Sequence, residues 1–114
     1  SSVIISKDGT KLFEAPHGTA HDLYVRYLET DAKEAHFNSS ALIFAVANAL
    51  EELAGRENNA ALTEYAARLK SALIETVAQG VITGDLKGKT TAPDAERIVD
   101  MNGFLDAVAS NLSA

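Results

Sequence analysis

Several residue types that often mark a functional class are absent or scarce in this sequence. There is no cysteine, so neither disulfide bonds nor thiolate metal sites can form, and the composition is compatible with a reducing cytoplasm, where we expect the protein. Basic residues are the minority: 10 Lys and Arg face 16 Asp and Glu, which gives a net charge of -6 without any basic run. This balance argues against nucleic acid and anionic membranes as partners.

Long hydrophobic runs and targeting signals are also missing. The longest apolar run covers residues 41–47, far too short to cross a bilayer, and the N-terminus has no signal-peptide pattern. The length fits one domain, residues 1–114, or a fragment of a larger one. Because the chain opens on Ser1 rather than on methionine, we expect a processed product or a fragment.

The stretch 12–23 is where we expect a ligand to bind. A short strand, 12–14, leads through a turn with Gly18 and Thr19 into a new helix. The unpaired N–H groups and the dipole at a helix start favour a phosphate, Gly18 permits close approach to the backbone, and Thr19 can cap the helix. A purely structural strand-to-helix turn is the alternative, and on these residues alone it is the commoner one.

The remaining pattern predicts an N-terminal β-hairpin and about four helices. Asp8-Gly9 between two hydrophobic runs is a strong hairpin signal for strands 3–6 and 12–14. Apolar periodicity and capping residues predict helices over 21–30, from 38–40 to Gly55, from 59 to 80, and from Asn102 to the C-terminus, with one helical turn at 83–86.

Apolar residues at helical spacing also predict which faces are buried. In the second helix the expected core stripe is Leu42, Ala45, Val46, Ala49, Leu50 and Leu53, and small residues elsewhere on it permit another element to pack closely. In the last helix the expected positions are Leu105, Val108 and Leu112. Tyr24, Tyr27 and Tyr65 also have core spacing, so we expect packed rings.

No residue spacing indicates a catalytic constellation or a metal site. Glu51 and Glu52 are adjacent, so on a helix they point in different directions, and the serines lack a nucleophile elbow. The three histidines do not share a helix face with a carboxylate partner. We therefore assign neither catalytic nor metal-binding residues to this chain.

Three motifs in order along the chain resemble one enzyme family. FEAPHGTAHDL, followed by Asn38 ahead of a small-residue helix, is similar to the cofactor loop of the isocitrate and isopropylmalate dehydrogenase family of decarboxylating dehydrogenases. IETVAQGVITGDL resembles a later helix and turn of isocitrate dehydrogenases, and GFLDAVASNL resembles their last helix. The resemblance implies an α/β family fold, of which this chain is a mostly helical piece with an N-terminal β-hairpin and about four helices.

The resemblance also implies which residues bind a nicotinamide dinucleotide. The residues 17–20 would wrap the adenosine and pyrophosphate side of the cofactor, and Asn38 would meet the adenine. The implied cofactor-binding residues are His17, Gly18, Thr19, Ala20, His21, Asp22, Leu23 and Asn38.

The resemblance implies that Asp22 and Leu23 determine whether the cofactor is NAD or NADP. Family members that use NADP typically have a basic pair at these two positions because the 2′-phosphate needs positive charge, whereas NAD users have Asp and an aliphatic residue. An aspartate accepts hydrogen bonds from a ribose hydroxyl and repels a phosphate, so we predict NAD, with NADP less favoured. The alternative is that Asp22 only charges the first helical turn, and Arg26 one turn on could soften the discrimination.

The sequence departs from the family in two respects and leaves most of the enzyme out. The loop between Tyr24 and Asn38 differs in composition from the glycine-containing loop expected there. Ser39 follows Asn38 where the family usually has proline, which bears on the rigidity of the adenine pocket. The substrate-holding and catalytic residues of the family, and its Mg²⁺ or Mn²⁺ ligands, lie N-terminal to this stretch or on a partner subunit. None can be assigned here.

The prediction is therefore the C-terminal part of the large cofactor-binding domain of an NAD-dependent isocitrate dehydrogenase. The complete enzyme, with its other domains and as a homodimer, would oxidise isocitrate to 2-oxoglutarate by hydride transfer and metal-assisted loss of CO₂, whereas this chain alone would be inactive.

Two kinds of alternative stay open. The complete enzyme could instead be an NADP-dependent isocitrate dehydrogenase, or act on isopropylmalate or homoisocitrate. From another class, the chain could be a free-standing helical module that binds a nucleotide or a protein. Such a module predicts a closed core, whereas a dehydrogenase fragment predicts exposed apolar surface on the hairpin and on one helix face.

Overall fold

The computed structural model describes residues 2–15, 20–30 and 37–114. Single turns of 3-10 helix occur at Gly84–Leu86 and Pro93–Ala95. The regular elements in chain order are β1 (Ser2–Ile5), β2 (Lys11–Glu14), α1 (His21–Glu29), α2 (Ser40–Glu57), α3 (Ala60–Ala78), β3 (Val81–Ile82), β4 (Arg97–Ile98) and α4 (Met101–Ser113). This arrangement confirms the predicted mostly helical piece with an N-terminal hairpin.

The hairpin is closed by the turn that the sequence predicts. Strands β1 and β2 pair antiparallel, and Gly9 takes a φ of 86°, which glycine adopts without strain. The carboxylate of Asp8 accepts hydrogen bonds from the Ser6 hydroxyl and from the Thr10 N–H, the latter at 3.1 Å. These bonds, the one from Ser6 first, lower the pKa of Asp8 to about 2.

Helix α2 continues past the glycine that we expected to end it. Gly55 lies inside the helix, and Asn58 ends it in a left-handed conformation with a φ of 51°. The Asn58 N–H donates to the carbonyl oxygens of Ala54 and Gly55, which satisfies carbonyls that a helix end leaves unpaired. The predicted end at Gly55 is therefore wrong, because asparagine also takes this conformation and Gly55 costs only about 1 kcal/mol inside a helix.

The buried residues of α2 are alanines, and of the predicted stripe only Ala45 is among them. Ala45, Ala47 and Ala54 are buried, and α2 packs along α3. Of the predicted stripe, Leu42 and Val46 are 58% and 46% exposed. Burial of the predicted stripe is therefore confirmed only in part, since Ala45 is buried and Ala49 and Leu50 are half-buried.

The core lies where α3 meets α4. Ala72 and Leu73 of α3 and Phe104 and Val108 of α4 are buried together. Residues flanking this cluster include Ile43, Phe44, Leu69, Val77, Val99 and Leu112. Burying a side chain such as Phe104 stabilises the fold by roughly 1.5–3 kcal/mol, so these contacts hold the two helices together.

The start of α4 and the positions of the tyrosines differ from the sequence prediction. Asp100, not Asn102, caps α4: its Oδ1 accepts a hydrogen bond from the Gly103 N–H at 2.7 Å. The expectation of packed tyrosine rings is wrong, since Tyr24, Tyr27 and Tyr65 are all exposed. Both errors come from local patterns that do not reveal what the rest of the chain places nearby.

A short parallel strand pair, β3 and β4, flanks the segment that the sequence predicted as a helical turn. Val81 pairs with Arg97 and Ile82 with Ile98, and β3 is buried. Two residues per strand are too few to create a recognisable alternating pattern, so the pair was not predicted. The predicted helical turn follows β3 directly, as Gly84–Leu86.

Candidate functional site

The predicted cofactor residues that the structure describes lie at the starts of two helices. Ala20 precedes α1, and His21, Asp22 and Leu23 form its first turn. Asn38 precedes α2. The predicted residues His17, Gly18 and Thr19 lie outside the described residues.

The start of α1 presents an acidic and mostly exposed first turn. Ala20 has a φ of 57°, a conformation that alanine rarely adopts, and its carbonyl accepts a hydrogen bond from the Tyr24 N–H at 3.0 Å. His21 and Asp22 are exposed, while Leu23 is half-buried. The carboxylate of Asp22 is thus accessible at the positive end of the helix dipole, where it stabilises the helix and is available to a hydroxyl donor.

Asn38 is held by hydrogen bonds from two directions. Its Oδ1 accepts from the Ser40 N–H at 2.9 Å, which ties the side chain to the first turn of α2. Its Nδ2 donates to the Thr83 Oγ1 at 3.0 Å. Its backbone N–H donates to the Asp85 Oδ2 at 3.1 Å. The orientation of the Asn38 amide is therefore defined by one nearby residue, Ser40, and by one 45 positions away, Thr83.

Thr83 and Asp85 reach Asn38 because strand β3 places them there. Thr83 is fully buried and extends β3 into the Gly84–Leu86 turn, and its hydroxyl donates to the Asp85 Oδ1. The sequence predicted this turn but gave neither residue a role. The signal was available, since both lie in the TGDL part of the second motif, but the 45-residue separation from Asn38 concealed the contact.

Ser39 and Ser40 place two hydroxyls beside Asn38. Ser39 is the residue before the first turn of α2, and its side chain makes no capping hydrogen bond. The Oγ atoms of both serines are buried and have no hydrogen-bond partner among the residues that the structure describes. A buried hydroxyl without a partner is unfavourable, so this end of α2 retains polar groups that another molecule or segment can satisfy.

An open groove of about 520 Å³ lies next to Asn38. The residues that line it include Asn38 and Ser40, the apolar Phe44 and Ile74, and the cationic Lys89. The volume falls in the range of small-molecule sites, roughly 300–1,000 Å³. The residue predicted to meet the adenine, Asn38, is thus one of the residues that line this groove.

The loop beyond the Gly84–Leu86 turn is closed by a carboxylate. Glu96 accepts hydrogen bonds from the Gly88 N–H at 2.8 Å and from the N–H and hydroxyl of Thr90. These bonds, the one from Gly88 first, lower the pKa of Glu96 below its ordinary value. The carboxylate form therefore keeps this loop folded beside the groove at neutral pH.

The described ranges contain neither a candidate metal site nor a helix that could cross a membrane. In 2–15, 20–30 and 37–114, no group of three or more His, Cys, Asp or Glu side chains is arranged to hold a metal ion. In the same part of the chain, every helix is too short or too polar to cross a membrane.

Comparison with known proteins places this chain among dehydrogenases. A family model described as isocitrate/isopropylmalate dehydrogenase matches residues 1–108. The chain is 36% identical over 115 residues to the chloroplastic/mitochondrial NADP isocitrate dehydrogenase of Arabidopsis thaliana, covering 98% of this chain and 23% of that protein. It is also 36% identical over 115 residues to the mitochondrial NADP isocitrate dehydrogenase of Saccharomyces cerevisiae, covering 98% and 26%.

A third relative shows the same pattern of coverage. The mitochondrial NADP isocitrate dehydrogenase of Homo sapiens is 31% identical over 117 residues, covering 98% of this chain and 25% of that protein. This chain belongs to the isocitrate/isopropylmalate dehydrogenase family, which confirms the resemblance carried by the three motifs. It spans about a quarter of the length of the curated relatives that it matches.

Proposed function

We propose that this chain is the C-terminal, cofactor-binding portion of an isocitrate dehydrogenase. The observation that carries the proposal is the match of 98% of the chain to proteins named isocitrate dehydrogenase. The complete enzyme oxidises the hydroxyl of isocitrate by hydride transfer to a nicotinamide dinucleotide, and CO₂ is then lost to give 2-oxoglutarate. Mg²⁺ or Mn²⁺ binds outside this chain and assists decarboxylation.

The chain's own residues bind the adenosine half of the dinucleotide in this proposal. Asn38 offers an amide edge beside the groove, and its orientation is fixed by Thr83 and Ser40. The first turn of α1 supplies Asp22 and the N–H groups of a helix start. Catalysis then requires the remaining three-quarters of the enzyme, and we propose a homodimer as its assembly.

The relatives favour NADP as the dinucleotide. All three relatives described above carry NADP in their names, so the NAD preference predicted from Asp22 and Leu23 is not confirmed. NAD stays the second candidate because one observation favours it: Asp22 is exposed in the first turn of α1, where its charge would repel a 2′-phosphate.

The test is an activity assay of the full-length enzyme that carries this chain. Purified enzyme with Mg²⁺ is given isocitrate, isopropylmalate or homoisocitrate, each with NAD or NADP, and reduced dinucleotide is followed by absorbance. Reduction with isocitrate as the preferred substrate supports the proposal. Reduction with another substrate alone, or with none, contradicts it. The ratio of kcat/KM values for the two dinucleotides decides between the two cofactor candidates.

A binding titration of the 114-residue chain tests the adenosine site separately. Calorimetry with AMP, NAD and NADP is expected to show weak binding that Asn38→Ala reduces. The free-standing helical module is the competing proposal, and it predicts a closed apolar core. The exposed apolar residues of the hairpin and of α2 favour the dehydrogenase portion instead.

A further inference from the structure

We propose that Asn102 is a deamidation site that the Asp100 cap of α4 keeps closed. Of the six asparagines in the chain, only Asn102 is followed by glycine. It is exposed in the first turn of α4, so water reaches it. This inference concerns a modification of the chain itself and does not depend on the proposed function.

The reaction needs only water besides Asn102 and Gly103. The Gly103 nitrogen gives up its proton to water and attacks the Asn102 Cγ, which closes a succinimide ring. The bond from Cγ to Nδ2 breaks, and Nδ2 leaves as ammonia. Water then adds to one of the ring carbonyls and breaks its bond to the Gly103 nitrogen. Opening at Cγ gives aspartate, whereas opening at the main-chain carbonyl gives isoaspartate, in which the chain continues through Cγ.

Packing favours the glycine that makes this reaction easy. A Cβ added at position 103 would lie 3.0 Å from the Val99 Cβ and 3.2 Å from the Asp100 Oδ1, so a larger residue would displace its neighbours. The same lack of a Cβ leaves the Gly103 nitrogen unhindered as a nucleophile. The residue that lets α4 start close to Val99 therefore also creates the reactive pair.

Asp100 opposes the reaction in the folded chain. Its Oδ1 accepts a hydrogen bond from the Gly103 N–H at 2.7 Å, so the proton that must leave is held by a carboxylate. The negative charge of that carboxylate also disfavours an anionic nitrogen beside it.

The helical conformation of the first turn is a second obstacle. The Phe104 N–H donates to the Asp100 carbonyl oxygen at 3.0 Å, which completes this turn. The Gly103 nitrogen and the Asn102 Cγ meet only when the ψ angle of Asn102 leaves the helical region, and that movement opens the turn. The rate of deamidation therefore follows how often the start of α4 opens, and the Asp100 cap limits that opening.

Isoaspartate at this position would disturb the core. It lengthens the main chain by one methylene group just before Phe104, which is buried together with Leu73 and Val108. We therefore expect the isoaspartate form to have a lower unfolding midpoint, because Phe104 is displaced from this cluster.

The test is the rate of ammonia loss at Asn102 in the full-length enzyme. The enzyme is incubated in mildly alkaline buffer at a temperature at which it stays folded, and peptide mapping by mass spectrometry follows the change of amide to carboxylate. Asp100→Ala is expected to raise the rate about fivefold, the factor that corresponds to about 1 kcal/mol of lost capping. Asp100→Ser, which keeps a capping oxygen, is expected to retain the low rate.

A matched control removes the cap of another helix. In α3 the Asn59 Oδ1 accepts a hydrogen bond from the Leu62 N–H at 3.0 Å, so Asn59→Ala loses a comparable cap and is expected to leave the rate at Asn102 unchanged. A synthetic peptide of residues 99–106, which forms no stable helix, is expected to lose ammonia about tenfold or more faster than the enzyme. Asn102→Gln should abolish the signal and so identifies the site.

Each outcome decides. An unchanged rate in a folded Asp100→Ala enzyme overturns the proposal, and so does a rate in the unsubstituted enzyme that equals that of the peptide. An equal rise in Asn59→Ala also overturns it, because the reaction would then occur in the globally unfolded chain. Should Asp100→Ala fail to fold, Asp100→Gly replaces it, since it also lacks the capping oxygen at less cost to the helix. These results hold whether or not the enzyme oxidises isocitrate, so a failure of the proposed function is recognised separately.

Discussion

At the scale of single residues, Asp22 is the position with the clearest consequence for cofactor choice. Its carboxylate is exposed in the first turn of α1, followed by the half-buried Leu23. The charge that we propose to discriminate against a 2′-phosphate is therefore accessible, whereas the relatives described above carry NADP in their names. A substitution at this pair decides whether the acidic residue has that role.

We predict that Asp22→Arg combined with Leu23→His shifts the full-length enzyme toward NADP. A new charged hydrogen bond to the 2′-phosphate contributes roughly 1.5–3 kcal/mol, so the ratio of kcat/KM for NADP to that for NAD should rise about tenfold or more. The measurement is steady-state kinetics with both dinucleotides. Glu29→Arg, the same charge reversal at the far end of α1, is the control.

An unchanged ratio in the double variant would show that Asp22 does not set the cofactor preference. The alternative interpretation, that Asp22 only interacts with the helix dipole, would then explain why an acidic residue occupies this position. In that case the substitution should lower the unfolding midpoint without affecting either KM.

At the scale of elements, the start of α4 is a place where the sequence pattern and the fold differ. Both Asp100 and Asn102 are good capping residues, but only Asp100 accepts a hydrogen bond from an N–H of the first turn. Asn102 lies within the helix and is exposed.

We predict that Asp100→Ala lowers the free energy of unfolding by about 1 kcal/mol, because the Gly103 N–H loses its acceptor. Asn102→Ala is the matched control and should change stability by less than about 0.5 kcal/mol. Urea unfolding followed by circular dichroism measures both values. Equal losses, or a larger loss for Asn102→Ala, would contradict the assignment of the cap.

A second element-scale contact joins the hairpin to α2. Lys11 on β2 forms an ion pair with Glu52 at 2.6 Å, and Arg56 approaches the same carboxylate at 3.2 Å. The hydrogen bond from Lys11 is the main reason why the pKa of Glu52 lies below its ordinary value of 4.5. The ion pair between Lys11 and Glu52 thus connects strand β2 to helix α2.

We predict that the ion pair between Lys11 and Glu52 is lost in acid. The pKa of Glu52 is lower in the folded chain, so its stabilising contribution is complete above 4.5 and disappears as the pH falls through the lowered value. The unfolding midpoint of the unsubstituted chain should exceed that of Glu52→Gln at about pH 7, and the gap should be smaller at about pH 3. Glu64→Gln, on the exposed side of α3, is the control. A gap that is equal at both pH values would exclude this role.

At the scale of the whole molecule, the chain exposes more surface than its size requires. Its accessible area is 7597 Å², whereas a compact protein of 12.1 kDa exposes about 6,000 Å². Its radius of gyration is 16.2 Å, against about 13 Å for a compact domain of this length. Much of the excess is apolar, including Ile4 and Leu12 of the hairpin, 52% and 60% exposed.

We predict that the isolated chain binds the apolar dye ANS and that Leu42→Gln with Val46→Gln reduces the binding. These side chains are 58% and 46% exposed on α2, so the substitutions should change the stability of the isolated chain only slightly. In the full-length enzyme we expect the same pair to cost several kcal/mol, because the remaining chain covers this face. Glu64→Gln with Glu75→Gln is the control for changes in polar surface.

Absence of dye binding, together with a monodisperse monomer, would favour the free-standing helical module. Dye binding by the isolated chain alone, with no loss of stability in the substituted full-length enzyme, would show that this face stays open in the assembled protein.

Local features of the fold were predictable from the sequence because local interactions produce them. Asp8-Gly9 formed the hairpin turn, and apolar periodicity predicted the helices, including the start of α3, where the Asn59 side chain accepts a hydrogen bond from the Leu62 N–H at 3.0 Å. The family was recognisable too, because its motifs are contiguous stretches of sequence.

Which face of each helix is buried, and which residues hold Asn38, were decided only by tertiary structure. The buried residues of α2 are alanines, whereas Leu42 and Val46 of its apolar stripe are exposed, because burial depends on which elements pack against the helix. Thr83 and Asp85 reach Asn38 across some 45 residues, through a strand pair too short to leave a pattern. Contacts of this kind depend on the path of the whole chain, whereas a turn or a helix depends only on its neighbouring residues.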